Sequence, residues 1–277
     1  MEYKRILTIQ DISCVGQCSL TVALPILSAC GLETCILPSA VLSTHTMGFT
    51  GYTFRDLTED MPKIREHWEK EGILFSGIYT GYLGSAEQIS YVKDIMGTCL
   101  TAAGVKIVDP AMADGGKLYP AFDMAFVEEM KSLVAVSDIV IPNITEACLL
   151  TGEAYTETYE VSYVESLCRK LHALGAKNVV LTGVSLSEGK TGAAVFENGK
   201  MRLYEHEKRP KGCHGTGDVY ASAFTGAYMG GKSLFDAAKI AADYVVECIR
   251  NTEGDEAHFY GVKFEPVLPE LISMLKE

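Results

Sequence analysis

The sequence predicts an α/β fold, a mostly parallel central sheet with helices on both faces. Short apolar runs alternate with longer stretches of helical spacing, and those short runs are continuously hydrophobic, as strands covered on both faces are. A hairpin signal, Asn198-Gly199, interrupts the alternation late in the chain. Taken in order, 5–9 reads as a strand, 19–30 as a helix, 34–37 as a strand, 61–70 as a helix and 73–79 as a strand. Helical spacing over 87–102 leads to a strand at 105–108, and a strand at 138–141 leads to helical runs at 146–151 and 161–174. A further strand follows at 178–181. Segments 191–196 and 200–205 flank the Asn-Gly pair, so some antiparallel strands are expected near 191–206. The runs 219–229, 234–250 and 264–275 carry helical spacing and close the chain. No internal repeat, low-complexity tract or linker divides it, so residues 1–277 are read as a single domain.

Composition narrows the function classes. With 48% hydrophobic and 22% charged residues, the chain has the makeup of an ordinary globular enzyme. Its apolar runs, such as 133–136 and 139–141, fall far short of the roughly 20 residues that cross a bilayer. The polar start, Met1-Glu2-Tyr3-Lys4-Arg5, and the short apolar 6–9 do not resemble a signal peptide, so a cytoplasmic location is expected. Nine cysteines include no C-x-x-C pair and no zinc-spaced cluster, and they read as reduced, buried thiols, with Cys213 the one candidate for reactivity. A formal net charge of −12 argues against a nucleic-acid surface.

Chemistry concentrates in a few segments. Gly215-Thr216-Gly217-Asp218 opens an apolar helix after a polar stretch, so successive backbone amides and the helix dipole can form an anion hole. Asp218 reads either as the N-terminal cap of that helix or as a general base. Asp109-Pro110 ends one strand, Pro142-Asn143 ends another, and Glu146 lies one turn into the next helix. Ligands of open parallel sheets bind beyond the carboxyl ends of strands, so Asp109, Asn143 and Glu146 can converge there, and their oxygens suit Mg²⁺ arriving with a nucleotide. Each also has an ordinary reading, as a turn, a cap or a solvated helix residue.

These segments resemble the pyridoxal kinases of the ribokinase-like superfamily. The likeness rests on Gly81-Tyr82-Leu83-Gly84-Ser85-Ala86-Glu87-Gln88, on the pattern D-P-x-M-x-D-x-G-K-L-Y at 109–119, on P-N-x-x-E at 142–146 and on G-T-G-D at 215–218, in the family's order over most of the chain. The resemblance implies a kinase that moves the terminal phosphate of MgATP onto the hydroxymethyl group of pyridoxal, pyridoxamine or pyridoxine, as a homodimer, with a monovalent-cation requirement left open. It implies Asp218 as base, with Gly215, Thr216 and Gly217 as the anion hole. Asp109, Asn143 and Glu146 form the Mg²⁺ and phosphate neighbourhood, with Asp109 and Glu146 as metal ligands; Asp114 and Tyr119 belong to a flexible loop over ATP, and Thr182 contacts nucleotide. Ser43-Thr44-His45-Thr46 resembles the family's substrate loop, and Tyr82 lies near the ring. For His45 the alternative is that it merely satisfies loop backbone groups.

Departures from the pattern bear on specificity. Gln10-Asp11 stands where the family has Q-S, so Asp11 is expected either to favour a vitamer bearing an ammonium or to cap the loop 12–17. Ala113 replaces a glycine common in the family and could stiffen the ATP loop. Residues 226–233 satisfy the Walker A pattern, but they follow a predicted helix rather than a strand, so Gly230-Gly231 reads as a helix stop and Ser233 as the next cap. Trp68 reads as a packing or interface residue. The rivals are a hydroxymethylpyrimidine kinase, which resembles this chain but more typically carries cysteine at the position of Asp218, and a nucleotide- or vitamer-binding protein without turnover.

Overall fold

The computed structural model describes residues 3–209 and 214–276. Strand β1 (Arg5–Ser13) leads to α1 (Leu20–Ala29), then β2 (Glu33–Leu42) and the short β3 (Phe54–Asp56). Helix α2 (Met61–Lys70), β4 (Phe75–Thr80), α3 (Ala86–Thr98) and β5 (Leu100–Val108) follow. A small hairpin of β6 (Ala113–Asp114) and β7 (Lys117–Leu118) precedes α4 (Met124–Val134), β8 (Ile139–Val140), α5 (Ile144–Thr151) and α6 (Val161–Ala173). The sheet is completed by β9 (Asn178–Val184), β10 (Lys190–Glu197) and β11 (Lys200–Glu207), after which come α7 (Thr216–Met229), α8 (Leu234–Thr252) and α9 (Leu268–Met274).

Nine strands form one sheet in the order β11-β10-β9-β8-β5-β4-β1-β2-β3. The six from β9 to β2 are parallel, and β3, β10 and β11 are antiparallel. Asn198 and Gly199 have φ of 52° and 76°, the two positive values that a type I′ hairpin between β10 and β11 requires. One apolar core buries the sheet against α2 to α6, including Leu7, Ile78, Val92, Met130 and Val164. The other, including Ile6, Tyr79, Ile107, Phe224 and Tyr244, lies under α1, α7, α8 and α9. The chain order reverses across the β1–β4 pair, and in open parallel sheets the carboxyl ends of the strands at such a switch point are where ligands bind in a crevice.

Several boundaries depart from the sequence reading. The first strand continues past residue 9 to Ser13, so Gln10 and Asp11 lie inside it; its pairing with β2 shifts register between Gln10 and Ile12, beside Pro38, which has no amide to donate. The helix expected over 87–102 ends at Thr98, because the Cys99 carbonyl already accepts the Phe75 amide at 2.8 Å and the chain has joined the sheet. The run 264–275 divides into a 3₁₀ turn at Glu265–Val267 and α9, since Pro266 and Pro269 each remove an amide that a continuous helix would need. Helix α4 was not foreseen, although Asp123 caps it by accepting the Phe126 amide at 3.0 Å. Among the described residues no helix is long and apolar enough to cross a membrane.

Candidate active site

The anion-hole segment is built around one obligatory glycine. Gly215 caps α7 with φ of 75°, and a Cβ on it would stand 1.8 Å from the Gln17 carbonyl oxygen. No other residue fits both the conformation and the contact. Thr216, Gly217 and Asp218 then form the first turn, where helix geometry points backbone amides out of the N-terminus, and the space around Gly217 is open. Asp218 is thus the third helical residue, not the cap that one reading made it. Burial pushes its half-buried carboxyl up to about 6, while the Ser19 amide facing it pulls it down and Asp11 pushes it up.

The nucleotide-side candidates gather at the ends of β5, β8 and β9. Asn143 and Glu146 form a capping box at the start of α5: Asn143 Oδ1 accepts the Glu146 amide at 2.9 Å, and Glu146 Oε2 accepts the Asn143 amide at 2.9 Å. Both side chains also reach the β6–β7 hairpin, Glu146 Oε1 accepting the Met112 amide at 3.1 Å and Asn143 Nδ2 donating to the Ala113 carbonyl at 2.8 Å. Thr145 adds a third tie, accepting the Gly116 amide at 3.0 Å. The segment expected as a loop over ATP is therefore a hairpin tied to α5, with Asp114 exposed on it and accepting the Gly115 amide. Tyr119 is half-buried, and burial together with Glu146, Asp114, Asp109 and Asp218 raises its hydroxyl. Thr182 bonds the Pro142 carbonyl through both its amide, at 2.9 Å, and its hydroxyl, at 3.3 Å, which joins the ends of β8 and β9.

On the opposite side, β1 and the loop 43–47 face Asp218. Asp11 is 6% exposed; burial raises its carboxyl, and the Ser19 and Ser13 hydroxyls beside it lower it, Ser13 Oγ donating at 3.1 Å. The carboxylate is thus held by local hydroxyls, which is closer to the loop-capping reading than to a free contact. His45 uses both ring nitrogens on backbone: Nε2 donates to the Tyr260 carbonyl at 2.9 Å and Nδ1 accepts the Met47 amide at 3.0 Å. That fixes a neutral tautomer, in keeping with burial lowering its pKa, and leaves the faces of the ring as what it could offer a ligand. Thr44 Oγ1 is buried without a partner among the described residues, whereas Thr46 is exposed. Tyr82 is half-buried against Phe122, at 5.4 Å between ring centroids, and burial and Asp11 push its hydroxyl up to about 12. Within the same motif, Ser85 caps α3 and Gln88 binds the Ser39 carbonyl and Thr58.

Whether these residues suit a divalent cation can be tested on their chemistry. Asp109 is 9% exposed, accepts no hydrogen bond from a described residue, and is pushed well up by burial, Glu146 and Asp218. Burial also raises Glu146, against the pull of the Asn143, Met112 and Ala113 amides. Among the described residues no Lys or Arg pulls Asp109 or Asp218 back down. Nor does any group of three or more His, Cys, Asp or Glu side chains form a cage. Two carboxylates short of positive charge, with no protein-only cage, fit Mg²⁺ that brings phosphate oxygens and water as its other ligands.

Other candidates fall away from the crevice or outside the described residues. The Walker-like segment spans the end of α7 and the turn to α8, where Gly230 ends one helix and Ser233 caps the next by accepting the Asp236 amide. Residues 218 and 229 are separated by roughly 17 Å of helix. Lys232→Ala is therefore expected to change kcat/KM for ATP by less than about threefold, and a loss of about 100-fold in steady-state kinetics would restore a phosphate-binding role. Trp68 packs edge-on against Phe75 at 5.3 Å. Cys213 lies outside the described residues. Among residues not singled out from sequence, the Ser19 amide faces Asp218, Thr145 ties the hairpin, and Tyr79 lies fully buried behind the site; Ser19 has φ of 50°, which no sequence pattern announces.

Comparison with known proteins adds relatives to this geometry. Residues 39–262 match the profile of the phosphomethylpyrimidine kinase family. A Bacteroides thetaiotaomicron protein provisionally assigned as a phosphomethylpyrimidine kinase is 36% identical with a TM-score of 0.94, over 98% of this chain and 94% of its own. Its orthorhombic crystal form was solved with pyridoxal and gives 37% identity and a TM-score of 0.92, over 98% and 96%. Pyridoxal kinase from Lactobacillus plantarum is 29% identical with a TM-score of 0.91, covering 99% of this chain and 98% of its own. A hydroxymethylpyrimidine/phosphomethylpyrimidine kinase of Aquifex aeolicus is 36% identical over 132 residues, 46% of this chain and 49% of that protein. The matched region spans about half the length of the first curated relatives.

Proposed function

As this chain belongs to the phosphomethylpyrimidine kinase family of small-molecule kinases, we propose that it transfers the γ-phosphate of ATP to the hydroxymethyl group of pyridoxal, pyridoxamine or pyridoxine. The observation that carries this reading is Asp218, a carboxylate in the first turn of α7 beside the open approach to Gly217, at the carboxyl end of the sheet. The acceptor hydroxyl gives its proton to Asp218 as its oxygen bonds to the γ-phosphorus, and the bond from that phosphorus to the β–γ bridging oxygen breaks, leaving ADP. Amides of the first turn of α7 face the equatorial oxygens, and the hairpin tied to α5 covers the nucleotide against water. Asp109 and Glu146 would hold Mg²⁺, which supplies positive charge to the β- and γ-phosphates when bound. The pyridoxal found in the Bacteroides relative supports the vitamer class.

A second reading, phosphorylation of hydroxymethylpyrimidine or its monophosphate, is favoured by the family match and the Aquifex relative. Aspartate rather than cysteine at 218 weighs against it. A coupled ADP-release assay over pyridoxal, pyridoxamine, pyridoxine and hydroxymethylpyrimidine decides. Pyridoxal-type acceptors are expected to exceed hydroxymethylpyrimidine in kcat/KM by at least about tenfold, the lower end of what one pocket methylene discriminates. The reverse order would establish the second reading, and no acceptor-dependent ADP would overturn both.

A further inference from the structure

The sheet face beneath α7 turns polar just behind the crevice. Strand pairing sets Thr8 beside Tyr79 and Tyr79 beside Ile107, so alternation puts Thr8, Gln10, Tyr79 and Asp109 on one face of β1, β4 and β5. Helix α7 approaches this face closely, for a Cβ on Gly77 would meet Met229 Cε at 2.9 Å. Along α7, Asp218, Ser222 and Thr225 recur at i, i+4 and i+7, on one side of the helix. Gln10, Tyr79, Ser222 and Thr225 are each 0% exposed.

These side chains do not satisfy one another. Gln10 Nε2 donates to Thr8 Oγ1 at 2.9 Å, yet Gln10 Oε1, Tyr79 OH, Ser222 Oγ and Thr225 Oγ1 have no hydrogen-bond partner among the described residues. Burial and the fields of Asp109 and Asp218 push the Tyr79 hydroxyl well up, and Ser222 and Gln10 stand near enough to pull it back as polar neighbours although neither meets full hydrogen-bond geometry. Buried polar atoms are nearly always paired, and where protein groups fall short internal water completes the set. A water here would accept from Tyr79 and Ser222 and donate to Gln10, three bonds of the number such waters commonly make. Ser222 is also tied to the base, because in an α-helix its amide bonds the carbonyl of Asp218, four residues earlier.

We propose that Gln10, Tyr79 and Ser222 form a buried water site behind Asp218, and that Tyr79 is a positioning residue that holds the Asp218 carboxyl toward the crevice through that site and the first turn of α7. The proposal rests on Asp218 as proton acceptor. Two measurements test it with the full chain. In a crystal structure that resolves ordered water, density is expected within hydrogen-bonding distance of Tyr79 OH and Ser222 Oγ; an empty or apolar-filled space there overturns the site. In kinetics, using whichever of pyridoxal and hydroxymethylpyrimidine is turned over faster, Tyr79→Phe is expected to lower kcat about tenfold with both KM values within about twofold, and Tm within a few degrees because no protein hydrogen bond of full geometry is lost. In an Asp218→Asn background the same change is expected to alter kcat by less than about twofold, since both act on one proton transfer. Equal losses in the two backgrounds, or an unchanged kcat in the first, overturn the positioning role. Ser222→Ala gives an independent variant with the same expectation. An Asp218→Asn enzyme that stays active refutes the base itself, a different result from an inactive Asp218→Asn beside an undiminished Tyr79→Phe.

Discussion

Asp218→Asn is expected to lower kcat by about 10²–10⁴-fold, the usual worth of a positioned general base, while the KM for ATP changes little. The amide keeps the shape and the approach of the Ser19 amide but cannot take the acceptor's proton. The acid limb of kcat/KM should fall below about pH 6, where burial sets the Asp218 carboxyl. The groups that share its field are Asp11, Cys18, Tyr79, Asp109 and Tyr119. Stability carries the opposite sign. A carboxyl whose folded pKa lies above its unfolded value of 3.8 favours the folded state below that value and loses the contribution as pH rises through about 6. At pH 7 the Asn variant should therefore melt no lower than wild type, and the difference should vanish below about pH 4. A variant that keeps more than about a third of wild-type kcat removes Asp218 from the mechanism.

Where the signal was local, the sequence was readable. Continuous apolar runs marked the parallel strands, and Asn198-Gly199 gave the antiparallel hairpin because its two left-handed residues are a property of that dipeptide. The Walker-like segment lacks the strand a P-loop needs for a local reason too, the helix before it. Boundaries failed where tertiary pairing prevailed over periodicity, as at Cys99, whose carbonyl joins β4 although residues 87–102 carry helical spacing throughout. At the site, residue types converged as their positions at strand ends implied, but their roles did not follow from position. His45 spends both ring nitrogens on backbone from residues 47 and 260, the latter distant in sequence. Asp11 lies among serine hydroxyls inside a strand expected to have ended before it. Tyr79 read only as the last residue of an apolar run; its unpaired hydroxyl depends on α7, which arrives well over a hundred residues later in the sequence.

Glu146→Gln is expected to lower kcat/KM for ATP by about 100-fold, equal to roughly 2.7 kcal/mol of transition-state stabilisation. Two effects of one atom add to this. Both carboxylate oxygens accept backbone amides, Oε2 from Asn143 and Oε1 from Met112, so an NH₂ group at either position faces another donor and breaks either the capping box or the tie to the hairpin. The substitution also removes one of the two negative charges proposed to hold Mg²⁺, so half-maximal activity should require more Mg²⁺ than in wild type. Loss of one buried hydrogen bond costs about 1–3 kcal/mol, partly offset because a carboxyl that burial raises is no longer ionised in the interior. Thr145→Val separates the two effects, for it releases only the Gly116 tie and leaves the charge in place. It is expected to raise the KM for ATP by less than about fivefold, as loss of a single neutral hydrogen bond does, with unchanged Mg²⁺ dependence. If Thr145→Val reproduced the full Glu146→Gln defect, the carboxylate would be a latch for the hairpin alone. If Glu146→Gln kept more than about a third of wild-type kcat/KM at every Mg²⁺ concentration, neither role would stand.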